Sequence, residues 1–429
     1  MIRRSALPLM AALLGATAAQ AQDMAITNAR VVIGDGSAPI DGGTVIIRAG
    51  KVAAAGAGVA VPPGVPVIDA GGKWVTPGLV VAVTDLGLVD VGAVDASNDV
   101  GAEKSPFNAA LDVAPAINPH AQPIAIARAN GVTRAAVAPL GTGAIFGGQG
   151  AIIDLGSDPR AVTLPRAFQY AELGEDGARL AGGSRAATYA VLRNALAEAR
   201  EIALAPAGAR RNDVLLTRRD AAALVPVVTG KQPLYAHVER AADIRMALSL
   251  KGEFPALKLV IVGASEGWLA ASDLAAAGVS VLATPLNDLP ARFEQLASTQ
   301  SNVGRMAAAG VKVSLGFFNS MSPTITQFAG NLVALGRLPR AAGLTWDKAF
   351  AAISSGPADA LGMADRFGSL RAGRAGDVVI WDGDPLEARS GVVRLFIDGI
   401  EQPLQNHQSR LRDRYLTPQE GSLPKAYDW

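Results

Sequence analysis

With 429 residues, half of them apolar, 47 glycines and only 5% aromatics, the chain can bury the core of one large α/β unit and a smaller companion. Its 39 basic and 38 acidic residues leave a formal charge of +1, and no basic run is interleaved with aromatics, which argues against a nucleic-acid partner. There is no cysteine, so no disulfide framework supports the fold in an oxidising compartment.

Residues 1–21, "MIRRSALPLMAALLGATAAQA", combine a basic start, an apolar stretch and a small-x-small end at Ala19-Gln20-Ala21. This is the pattern of a cleaved secretory leader, too short and alanine-rich for a spanning helix. The expectation is an exported, periplasmic protein with no membrane insertion once the leader is removed. Arg3-Arg4 also allows the twin-arginine route. Cleavage after Ala21 removes two bases and no acid, leaving 37 against 38 and a net charge of −1.

From residue 22 to 75, short β-branched runs alternate with Gly- and Asp-rich turns, predicting strands over 30–33, 44–48 and 51–55. From 76 to 362, apolar runs alternate with Ala-rich helical stretches. The strands are expected over 79–83, 133–138, 234–237, 259–262, 279–283 and 311–315. Helices are expected over 186–202, 218–229, 241–250, 266–277 and 345–354. That cadence over nearly 290 residues predicts a (β/α)8 TIM-like barrel. No GxGxxG follows the first barrel strand, which counts against dinucleotide binding. Over 363–404, strands at 377–381 and 392–397 are separated by Asp-Gly turns. The two β-rich ends are therefore expected to meet in one small β-sandwich domain, because unpartnered strands would leave exposed edges. Residues 405–429 form a tail.

Three segments, "IDAGGKWVTPGL" (68–79), "GPADALGMADRFGSLRAGRAGDVVIWDGDPL" (356–386) and "LFIDGIEQ" (395–402), resemble the amidohydrolase superfamily, in its imidazolonepropionase-like or dihydroorotase-like branch. The resemblance implies one or two divalent metals at the C-terminal mouth of the barrel. Strand 1 would supply His-x-His, strands 5 and 6 a His each, and strand 8 an Asp that takes the proton of the attacking water. Residues two apart on a strand face the same way, so His-x-His aims both imidazoles at one point. Metal-bound water is then acidic enough to attack near neutral pH.

Aligned on that pattern, the two strand-1 positions hold Val83 and Asp85. Strand 5 keeps His237, with Glu239 on its face; strand 6 has Gly263; strand 8 has Phe318 at the position of the base, with Asn319 out of register. The other two histidines, His120 in a Pro-flanked loop and His407 in the tail, are not replacements. The expectation is a vestigial site at Val83, Asp85, His237, Gly263 and Phe318, with no metal or other cofactor. If a metal such as zinc does bind, Asp85, His237 and Glu239 are the residual ligands. Replacing Val83, Asp85 and Gly263 with His and Phe318 with Asp is then expected to recover zinc binding.

Elsewhere, "GTGAIFGGQGAIIDLGS" (141–157) lacks the Lys-Ser/Thr of a phosphate loop and runs on into a strand; its Gly-Gly-Gln-Gly part resembles a segment of the same superfamily branch, which implies a loop over the mouth where Gln149 could touch a ligand. Arg185 follows a Gly pair at a helix start and could bind a ligand carboxylate. Three functions remain open. One is a non-catalytic homologue that binds a small molecule or partners an active paralogue or another copy of itself. The second is an active hydrolase of cyclic amides or peptide-like C–N bonds with a rebuilt mononuclear site. The third is an interaction module whose mouth is apolar around Val83, Phe317 and Phe318.

Overall fold

The computed structural model describes residues 22–206, 214–316 and 325–416. Five strands come first: β1 (Met24–Val31), β2 (Ile40–Arg48), β3 (Lys51–Gly56), β4 (Val67–Asp69) and β5 (Trp74–Pro77). Eight barrel strands follow: β6 (Leu79–Thr84), β7 (Val132–Val137), β8 (Phe146–Asp154), β9 (Val162–Glu172), β10 (Leu234–Val238), β11 (Leu259–Gly263), β12 (Ser280–Ala283) and β13 (Val313–Leu315). The chain then returns to the first sheet through β14 (Val378–Trp381), β15 (Val392–Ile397) and β16 (Ile400–Glu401).

The two ends do meet. The eight strands of the end sheet run β16-β15-β14-β5-β1-β2-β3, with β4 beside β1. The join is the antiparallel pairing of β14 with β5, Val378 opposite Pro77 and Trp381 opposite Trp74. The far edge curls back: Val52 N–H donates to the Arg374 carbonyl at 2.9 Å and Gly373 N–H to the Val52 carbonyl at 2.8 Å. Ile26, Val31, Val45, Ile47, Val75, Ile380 and Phe396 fill the inside of that roll.

The second sheet runs in order from β6 to β13. Its strands read as continuous apolar runs such as Leu79–Thr84, buried at every position, as parallel strands covered on both faces must be. The seam between β13 and β6 is bridged by backbone: Leu315 N–H donates to the Ala352 carbonyl and Val80 N–H to that of Ile353, both at 3.0 Å. One strand departs from the expected pattern. The Gly-Gly-Gln-Gly stretch at 147–150 is not a loop over the mouth, because β8 runs through it antiparallel to both β7 and β9. Its glycines answer to neighbours: a Cβ on Gly150 would stand 2.1 Å from the Phe168 ring. Phe168 in turn stacks on Tyr235 inside the barrel, centroids 4.2 Å apart. These rings, with Val80, Ala82, Val83, Val260, Val262 and Leu282, fill the interior. The barrel is a packed core whose chemistry is confined to its ends.

Barrel and end sheet are tied by a buried cation, Arg134. Arg134 of β7 donates from Nε to Asp377 Oδ2 at 2.7 Å and from Nη2 to Asp377 Oδ1 at 2.9 Å, and Nη2 lies 2.8 Å from Asp398 Oδ1. Asp154 of β8 stands 4.0 Å from the same guanidinium. Burial pushes the Asp154 carboxyl up to about 6, against the opposing pull of the Gly156 N–H and Arg134. The folded chain therefore holds this proton more tightly than the unfolded chain does, whose carboxyl titrates near 3.8. The associated stability is present in full below pH 4 and is lost as pH rises through 6. Asp154→Asn keeps an acceptor for Gly156, so it should be the more stable protein at pH 8 by about 1–2 kcal/mol. Urea unfolding of both proteins at pH 4 and pH 8 measures this; an equal gap at the two pH values would refute it.

Candidate functional site

Because β6, β7 and β9 to β13 run parallel, their C-terminal ends share one mouth. Alternation along β9 aims Phe168, Tyr170 and Glu172 inward, and along β10 it aims Tyr235 and His237 inward. Glu172 and His237 are register partners in the β9–β10 ladder. The imidazole and the carboxylate therefore meet: His237 Nδ1 lies 2.5 Å from Glu172 Oε2. On the other side of the ring, Nε2 lies 3.2 Å from Oε1 of Glu239, one residue beyond the end of β10.

Each carboxylate is held by a further donor. Tyr170 Oη donates to Glu172 Oε1 at 3.2 Å, and the Ser265 N–H donates to Glu239 Oε2 at 2.7 Å. Ionised carboxylates only accept, so both nitrogens of His237 must donate, which makes the ring an imidazolium. Burial alone would lower the His237 pKa, but Glu172 and Glu239 on either side hold it well above 6.5. Burial raises Glu239 and the imidazolium lowers it, with a net lowering. The carboxylates are 6% and 7% exposed and the His237 side chain 22%, so the ring is the part of the cluster that solvent in the mouth reaches.

Gly263, at the end of β11, makes room for this arrangement. Its φ is +89°, and a Cβ there would lie 2.7 Å from Glu239 Oε1 and 2.8 Å from Cδ. The position where the resemblance implies a histidine is thus filled by the Glu239 carboxylate. Val83 is fully buried in the barrel interior. Asp85, just past β6, is half-buried; its Oδ1 has no hydrogen-bond partner among the described residues, and burial pushes its carboxyl up. Phe317 and Phe318 lie outside the described residues. His120 and His407 are both exposed, away from the barrel strands. Among the described residues, no group of three or more His, Asp or Glu side chains is disposed to hold a metal ion. The expected residual set Asp85, His237 and Glu239 does not form one.

The two expected ligand contacts have partners within the chain. Arg185 donates from Nε to Asp243 Oδ2 at 2.8 Å and from Nη2 to Glu294 Oε2 at 3.3 Å, so its carboxylates are internal. Gln149 is buried in β8, its Oε1 accepting from Gln232 Nε2 at 3.4 Å. Two groups at the mouth escaped the sequence reading. Glu172 stands at the end of a strand in "RAFQYAEL", where the alternation Phe168, Tyr170, Glu172 was the available signal. Glu294, on the short helix Phe293–Gln295 after β12, accepts the Glu175 N–H at 2.6 Å and latches that loop over the ends of β9 and β10.

The model of the amidohydrolase family matches residues 269–398. A 60-residue stretch is 43% identical to amidohydrolase tasK of Hapsidospora irregularis, a match spanning 14% of this chain and 6% of that protein's length. Among solved structures, an amidohydrolase from Thermotoga maritima MSB8 superposes with a TM-score of 0.77 at 25% identity, covering 88% of this chain and 99% of that one. An N-isopropylammelide isopropylaminohydrolase from Burkholderia multivorans shares the fold at a TM-score of 0.51 and 18% identity, over 89% of this chain and 98% of that one. A barrel whose first strand leaves, and whose last helix re-enters, a sheet built from both chain ends is thus similar nearly end to end to the Thermotoga amidohydrolase, and its residues 269–398 match the amidohydrolase family.

Proposed function

We propose that this chain is a non-hydrolytic member of the superfamily, exported, and acting as a binding protein or as the partner of an active relative. One observation carries the reading: both ring nitrogens of His237, the one histidine on a described barrel strand, are engaged by carboxylates. A doubly donating imidazole has no lone pair to offer a metal. Glu239 occupies the space beside Gly263, and Val83 offers no donor atom. The residues present therefore do not fit the metal centre that the fold implies, and no hydrolytic step is assigned through one. Export is supported by the leader-like sequence of residues 1–21.

The competing reading, a rebuilt mononuclear hydrolase, draws on the partnerless buried oxygen of Asp85. It would require His237 to give up Glu239. Zinc titration of chelator-treated protein by calorimetry decides between them. The expected result is no site tighter than about 1 μM. Stoichiometric binding below that value, lost in both His237→Ala and Asp85→Asn, would establish the rebuilt site instead.

A further inference from the structure

We propose that the exported chain carries a pyroglutamyl N-terminus formed from Gln22. The inference rests on the export reading, since cleavage after Ala21 is what gives Gln22 a free α-amine. The structure supplies the rest. Pairing of β1 with β2 begins at Met24 opposite Ile47, so Gln22 lies outside the ladder. The chain is fixed just behind it: Asp23 Oδ1 accepts the Ala49 N–H at 2.9 Å, and the Ala25 N–H donates to the Pro66 carbonyl at 2.9 Å. Gln22 itself is exposed, and no hydrogen bond holds its carboxamide among the described residues. Nothing in the fold keeps that carboxamide from folding back on an amine in the same residue.

The reaction needs no partner. The uncharged α-amine attacks the side-chain carbonyl carbon Cδ, and the new N–Cδ bond closes a five-membered lactam. The Cδ–NH2 bond then breaks, and the nitrogen leaves with the displaced proton as ammonia, with no change of oxidation state. Holding nucleophile and electrophile in one residue makes the step intramolecular, with the rate advantage that this brings.

The surroundings leave room for the product. Gln22 lines a groove of about 360 Å3 together with Met24, Ile68, Phe396, Arg394 and Glu401. Of the two acids lining this groove, Glu401 is paired, Arg394 Nε and Nη2 donating to its two oxygens at 2.7 Å each, and Asp23 accepts the Ala49 N–H through Oδ1. The Arg394 guanidinium also lies over the Phe396 ring at 5.1 Å. A neutral lactam at residue 22 would share this groove with the apolar side chains of Ile68 and Phe396.

The full chain, leader included, can be expressed in an exporting bacterial host and its N-terminal peptide analysed by mass spectrometry and Edman degradation. The expected peptide begins at residue 22, is lighter than its sequence by one ammonia and is blocked to Edman chemistry; Gln22→Ser should begin at the same position and be unblocked. A peptide that begins at Gln22 and keeps its ammonia after prolonged incubation at neutral pH overturns the lactam while leaving the cleavage reading intact. A peptide that begins elsewhere overturns both.

Discussion

Arg134→Met should destabilise the protein by about 3–5 kcal/mol, because removing one partner of a buried ion pair strands the other. Asp377 is 3% exposed, and both its oxygens accept from this guanidinium with the Asp398 N–H as a further donor, so its charge would be left in the protein interior. Asp154, 13% exposed, and Asp398 lose their cation at the same time. Arg134 is on the barrel, whereas Asp377 precedes β14 and Asp398 sits in the turn between β15 and β16. The loss should therefore fall on the junction between barrel and end sheet. Urea unfolding followed by tryptophan fluorescence, with Trp381 in β14 as a nearby reporter, should show a lower midpoint and a separate early transition. Adding Asp377→Leu should recover much of the loss, since two apolar groups tolerate that space better than one stranded charge. A single variant as stable as the parent would show that the aspartates hold the junction without the cation.

The expected effect is large at a residue that no local pattern marks, and the cause is general. Strands buried on both faces announce themselves as apolar runs, so 79–83, 133–138, 234–237 and 259–262 could be read within a residue or two of β6, β7, β10 and β11. The joining of the two ends followed from edges that needed partners. The β8–β9 hairpin was not legible, because Phe-Gly-Gly-Gln-Gly carries the composition of a loop. Those glycines are there for Phe168 and for the Leu111 carbonyl, 2.7 Å from where a Cβ of Gly148 would lie, and both contacts are long-range. The candidate site divides in the same way. His237 and Glu239 are two apart, so their shared face could be seen from spacing alone. Glu172 lies 65 residues from His237 and meets it only through the β9–β10 register, which no local pattern encodes. Gly263 was legible as a missing histidine, but not as the space another side chain occupies.

That occupied space changes what restoring the site requires. Gly263→Ala should cost about 2–4 kcal/mol: about 1–3 for a side chain held at positive φ, with the remainder from crowding Glu239. Gly263→His, part of the fourfold replacement expected from the sequence to recover zinc binding, should be worse. Its Cβ would stand 2.7 Å from Glu239 Oε1, and the carboxylate is pinned from behind by the Ser265 N–H at 2.7 Å. Glu239 cannot move away without leaving Nε2 of His237 unpartnered. Histidine at 263 and glutamate at 239 are therefore mutually exclusive, and the two positions should be coupled. In a double-mutant cycle, Glu239→Ala should relieve part of the Gly263→His penalty, with an interaction energy of about 1–3 kcal/mol. The φ cost would remain in every variant. The fourfold replacement should bind zinc weakly until Glu239→Ala is added, and tightly only afterwards. Nitrogen-15 NMR of His237 gives a readout independent of metal, with two N–H signals in the parent protein and one ring nitrogen without its proton in Glu239→Ala. Additive stabilities across the cycle, or tight zinc binding with Glu239 still in place, would mean that this carboxylate does not guard the position.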